Sequence, residues 1–160
     1  MSRRAEALAD RIQQGAQALA VFAEGLSDAE WRMNVPKDGR PVGVIVHHVA
    51  SVYPLEVQLA QTIAGGKPVE GVTWDGVAHM NAEHAQRNGA VGKPETLALL
   101  RRNSQAAADA VRAFSDEQLD AAAPVSLNAE APLTAQFIVE DHALRHSFHH
   151  LARIRAAVGR

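Results

Sequence analysis

The sequence predicts a single all-α domain over residues 1–160, folded as a four-helix bundle, and three observations carry that reading. Hydrophobic residues make up 47% of the chain but aromatics only 4%, so the core has to come from Ala, Val, Leu and Ile. Alanine is the best helix former and a poor strand former, which favours closely packed helices over a sheet. Apolar residues also recur at three- and four-residue spacing through four long stretches, and no alternating apolar–polar stretch argues for a strand. At 160 residues one core can be buried without covalent staples.

The first helix is expected from about Arg3 to Ala23, with Leu8, Ile12, Ala16, Leu19 and Phe22 on one stripe. Ser27-Asp28-Ala29-Glu30 is a capping-box pattern that opens a short helical turn, and Pro36 follows it. A second long helix opens near Pro41 and ends at Gly65-Gly66, with Pro54 expected to kink it. A third helical segment covers roughly Asp75 to Arg87. Pro94 opens the next helix, which runs to about Phe114. Ser115-Asp116-Glu117-Gln118 repeats the capping signature, and the last helix runs from near Thr134 to Val158. Four long helices joined by modest loops read as a bundle.

Composition also excludes classes of function. A formal charge of −2 with scattered arginines gives no electrostatic reason to expect a nucleic-acid partner. The absence of cysteine removes disulfides, thiolate nucleophiles and Cys-type zinc sites. The charged start Met1-Ser2-Arg3-Arg4 lacks an apolar leader region, and no uninterrupted apolar run approaches the roughly 20 residues that span a bilayer. A cytoplasmic protein without a membrane partner is the expectation.

Six of the eight histidines lie in two places: His47 and His48, then His142, His146, His149 and His150. His146 and His150 are four residues apart, which on a helix stacks two imidazoles within reach of one ion. A shuffled chain of this composition would hold roughly 0.4 such pairs, so the spacing alone does not decide. The facing of His48 adds weight, because Val44, Ile45, Val52, Leu55 and Leu59 share its side of the helix and aim it into the bundle. His47 is expected to face water. The same projection puts His146 and His150 beside Val139, Ala143 and Ile154 and swings His149 toward Arg145.

A single inward histidine is more often a hydrogen-bonded core residue, and a lone H-x-x-x-H pair more often lies on a surface. Three imidazoles meeting inside a bundle need a common partner, and a divalent metal ion supplies one. Around them His142 is a pocket residue or spare ligand, and Glu56 a rim group or support for a ligand. His79 and Glu83 read as solvated surface, and Trp31 and Trp74 as packing residues or the mouth of a pocket.

The stretch Pro41-Val42-Gly43-Val44-Ile45-Val46-His47-His48-Val49-Ala50 resembles the second helix of the DinB-like superfamily of YfiT-type bundle proteins, "S-V-G-E-L-L-x-H-L-A". His146-Ser147-Phe148-His149-His150 is similar to that family's "H-E-x-H-H", and the two Ser-Asp cap turns and Asn81 also look familial. The chain departs from the pattern at Val44, where the family has Glu, and at Leu151-Ala152-Arg153, where "R-G-Q" is common. The resemblance places the metal ligands on His48, His146 and His150. It implies an unusual helix order, an ion such as zinc or nickel, and a homodimer.

Three neutral ligands leave a position open on the ion, the pattern of catalytic rather than structural sites. Such an ion activates water, or a low-molecular-weight thiol of the bacillithiol or mycothiol type, against an electrophilic small-molecule substrate. Glu56, Glu140 and His142 are the candidate proton acceptors. The expected activity is that of a metal-dependent hydrolase or a thiol S-transferase. The competing expectation is a non-catalytic small-molecule-binding or structural dimeric bundle.

Overall fold

The computed structural model describes residues 1–160. Four rods form the bundle: α1 (Arg3–Glu24), α3 (Val42–Ala64), α5 (Lys93–Arg112), and a last rod built from α7 (Ala135–Ile138), a π-helical stretch (Val139–Leu144) and α8 (Arg145–Val158). Shorter helices α2 (Asp28–Arg32), α4 (Trp74–Arg87) and α6 (Asp116–Asp120) lie between them. The rods begin and end within two residues of the expected positions. Both short helices after the Ser-Asp turns carry complete capping boxes, Ser27 with Glu30 and Ser115 with Gln118.

The packing order differs from the chain order. α1 packs on α5 and α8, while α3 packs on α5 and the last rod, so α1 lies diagonally across from α3. An up-down-up-down bundle would have made those two neighbours. Along the α1–α5 contact both helices bury small side chains, among them Ala9, Ala16, Ala20, Ser104, Ala107 and Ala108. α3 is long and apolar enough by composition to cross a bilayer. Here it is the core helix, buried against α5 and the last rod.

Pro54 sits inside α3, which runs through it unbroken. Proline has no N–H to offer the carbonyl four residues earlier, so the oxygen of Ala50 loses its helical partner. Asn103 of α5 replaces it, donating Nδ2–H to that oxygen at 2.8 Å. A buried Tyr53 hydroxyl hydrogen-bonded to Ser147 clamps α3 to α8 near the histidines.

One expectation fails. Two strands, β1 (Ala122–Val125) and β2 (Ala131–Thr134), pair antiparallel with Pro124 opposite Pro132. Four residues offer too little alternation to detect, and a proline in each segment argues against a strand. The pairing is secured from outside: Val69 donates its N–H to the Pro124 oxygen and accepts from the Ser126 N–H, both at 3.0 Å.

Gly43 opens the motif at the start of α3 for a packing reason. A Cβ there would sit 2.4–2.8 Å from the Trp31 indole, whose Nε1–H donates to the Val91 oxygen at 3.1 Å. Trp31 is buried and cannot swing aside cheaply. Gly43→Ala is therefore expected to destabilise the fold by about 1–3 kcal/mol despite the better helix propensity of alanine. Chemical denaturation checks this; a variant as stable as wild type would show that Trp31 has room to move.

Candidate metal centre

α3 and α8 deliver the three histidines from opposite sides of one cavity. His48 and His150 are buried and His146 is half-buried. Their ligand atoms all lie within 4.8 Å of one another, and the Nε2 atoms of His48 and His146 are 3.2 Å apart. Two nitrogens bound tetrahedrally at about 2.0–2.1 Å from one ion would lie about 3.3 Å apart, close to the spacing seen.

The hydrogen bonding fits an ion. His146 donates Nδ1–H to Glu56 Oε1 at 2.8 Å, which leaves its Nε2 lone pair facing His48. Glu56, buried on the next turns of α3, thereby sets both the tautomer and the orientation of the ring. His150 Nδ1 is buried without a partner, and so is Glu56 Oε2. Three neutral imidazoles suit zinc, nickel or copper better than magnesium or calcium.

Burial enforces neutrality in His48 and His150. Desolvation, with the neighbouring imidazole of His146 next in weight, pushes His48 down to about 3 and His150 down to about 2. Removing the carboxylate that orients His146 should weaken the metal site. Glu56→Ala is expected to lower metal affinity about 10–100-fold, as loss of a ligand's hydrogen-bonding support typically does. Competition with a chelator measures it, and unchanged affinity would remove Glu56 from the site.

The cavity beside the histidines has a volume of about 570 Å³, within the range of small-molecule sites. Val52, Leu55 and Leu59 of α3 form one wall, and Val77, Met80 and Asn81 of α4 form another. α4 has no buried residue of its own and contributes one side of the cavity wall. Trp74 lines the cavity with its Nε1–H donated to the Leu127 oxygen at 3.0 Å, whereas Trp31 packs elsewhere.

His142 lines the cavity but stands outside the converging trio. Glu140 does not line it, and pairs with Arg11 of α1 at 3.7 Å. The π-helical stretch explains the separation, since its wider turn changes the phase of residues that precede His146. His149 is exposed, and His79, also exposed, pairs with half-buried Glu83 at 3.4 Å on the helix surface, as expected.

His47 does not face open water. It is half-buried, with Nδ1 2.8 Å from His84 Nε2 and 3.2 Å from Ser51 Oγ. His84 belongs to α4, which packs against this side of α3 and removes the solvent a lone helix would have offered. Desolvation lowers both imidazoles.

Asp38 and Arg40 were not legible as site residues. They come from the loop after α2, where Val35 N–H bonds the Arg40 oxygen at 3.0 Å and turns the chain back onto the cavity. Arg40 holds Asp38 through Nε at 2.6 Å and Nη2 at 3.0 Å, keeping that carboxyl below its ordinary range. In sequence this segment is only an Asp-Gly turn. Arg153 also lines the cavity, and its place three residues after His150 was a usable signal.

A sequence model described as the DinB superfamily matches residues 11–154. No curated protein matches the chain. Among solved structures the chain is similar to YfiT from Bacillus subtilis, described as a probable metal-dependent hydrolase with an unusual four-helix bundle topology. That likeness has a TM-score of 0.76 at 16% identity, covering 99% of this chain and 90% of that one.

Proposed function

Since the chain belongs to the DinB superfamily, we propose that it is a divalent-metal-dependent hydrolase of a small-molecule substrate, with His48, His146 and His150 as the ligands. The observation that supports this most is the convergence of three imidazoles at the edge of a ligand-sized cavity. When bound there, zinc or nickel supplies Lewis acidity and water activated at neutral pH. Burial keeps His48 and His150 unprotonated and ready to ligate. Glu56 holds the proton on His146 Nδ1, which keeps Nε2 available as a donor.

Glu56 Oε2, buried and without a partner, is the proton acceptor in this reading, with His142 the next candidate in the cavity wall. Glu56→Gln separates the two roles of the carboxylate. An amide oxygen still accepts from His146, so metal content should hold while turnover falls by about 10²-fold or more.

The experiment is hydrolysis of 4-nitrophenyl acetate by zinc- or nickel-loaded protein, against chelator-treated protein. Metal-dependent release without added thiol is the expected result, and no difference between the two forms would overturn the reading. A thiol-dependent S-transferase is the second reading, favoured by a cavity with room for a thiol beside an electrophile. Because the chain has no cysteine, that thiol must be external. Turnover only with bacillithiol, mycothiol or glutathione present would select it.

A further inference from the structure

We propose that the substrate carries a carboxylate attached to an apolar body, and that Arg153 is the residue that selects it; this rests on the cavity being the substrate site of the proposed hydrolase. Three arginines line the cavity, Arg40, Arg145 and Arg153, and they are not equivalent. Arg40 spends Nε and Nη2 on Asp38. Arg145 turns its Nε–H onto the backbone oxygen and carboxylate of Asp141, at 3.1 and 3.2 Å on its own helix.

Arg153 makes no such bond. Its nearest carboxylate oxygen is Asp38 Oδ2, 3.8 Å from Nη1 and beyond hydrogen-bond length. That same Asp38 is already held in a fork by Arg40, so one carboxylate faces two guanidinium groups and leaves Arg153 without a hydrogen-bonded counter-charge. Arg40 Nη1 is in addition buried with no acceptor. Arg153 is 37% exposed, which leaves its donor fork open to an incoming ligand.

Placement gives the fork its meaning. Arg153 lies on the same face of α8 as His146, His149 and His150, so an anion gripped there is held beside the trihistidine cluster. Leu55, Leu59, Val77 and Met80 supply the apolar lining contributed by α3 and α4. A guanidinium recognises a carboxylate through two parallel hydrogen bonds, which a neutral amide of the same shape cannot reproduce. The site therefore reads two features at once, an apolar body and a planar anion.

The test compares binding of 4-phenylbutyrate and 4-phenylbutyramide by calorimetry. Both are titrated into zinc-loaded wild type and Arg153→Gln, and again into chelator-treated samples of each. Wild type is expected to bind the carboxylate at least about tenfold more tightly than the amide in both forms. Arg153→Gln is expected to lose that preference while keeping its affinity for the amide and its melting temperature. Equal affinity of wild type for the two probes, binding of neither, or a preference intact in Arg153→Gln would each overturn the proposal. Failure of the hydrolase reading shows elsewhere, as absent metal-dependent ester cleavage, while the preference in the chelator-treated protein reports on Arg153 alone.

Discussion

His48→Ala and His150→Ala are each expected to leave the purified protein with almost none of the divalent ion that wild type takes up on loading. The two imidazoles come from different rods, so each variant removes a ligand that no neighbour replaces. His142 lines the cavity but is not part of the converging set, and His149 is exposed. The loss should exceed the about 10–100-fold that accompanies removal of a ligand's hydrogen-bonding support, so metal-dependent turnover should vanish with the ion. Elemental analysis after zinc or nickel loading measures this, with His142→Ala as the variant expected to keep its metal. Circular dichroism shows whether the bundle persists. Equal metal content in wild type and all variants would remove the site and the hydrolase reading with it.

The metal-free protein is expected to be acid-labile in a defined window. An unfolded histidine protonates near pH 6.5, whereas folded His48 holds out to about 3 and His150 to about 2, because burial penalises the imidazolium. Between pH 6.5 and those values the unfolded chain binds protons that the folded chain does not. Stability is thus fully present above about 6.5 and is lost as the pH falls. Each such imidazole costs about 1.4 kcal/mol per pH unit, so the pair costs about 3 kcal/mol by pH 5.5. Against a total of about 5–15 kcal/mol this is large. His47, His84 and His149 shift in the same direction and steepen the loss. Urea unfolding of chelator-treated protein at pH 7.5 and pH 5.5 is the measurement. A flat profile would mean that the two rings are hydrated in solution, and a His48→Leu/His150→Leu variant should make the loss shallower, leaving the part due to the other lowered histidines.

Much of the bundle was legible in the chain because its signals are local. Apolar spacing marks four rods, Ser27 and Ser115 announce their caps, and Pro94 and the Gly65-Gly66 pair mark a start and a stop. The direction of His48 followed from the residues sharing its helix face. What escaped was non-local or out of phase. The β1–β2 hairpin is held by Val69, more than fifty residues away. Glu140 parts from the site because a π-helical stretch interrupts the regular turn. His47 looked wet only because α4, which covers it, lies outside any calculation on α3 alone.

Sequence by itself determined which segments are helical, which face of each is apolar and which three histidines point inward, since all of these depend on neighbours within a turn or two of the chain. Tertiary structure alone decided that α1 lies across from α3, that Glu56 orients His146, and that the loop holding Asp38 and Arg40 folds back onto the cavity. The physical reason is range. Helical periodicity and capping are set by contacts a few residues apart, whereas the partner of a buried polar atom is whichever group the packing of distant rods brings within 3 Å.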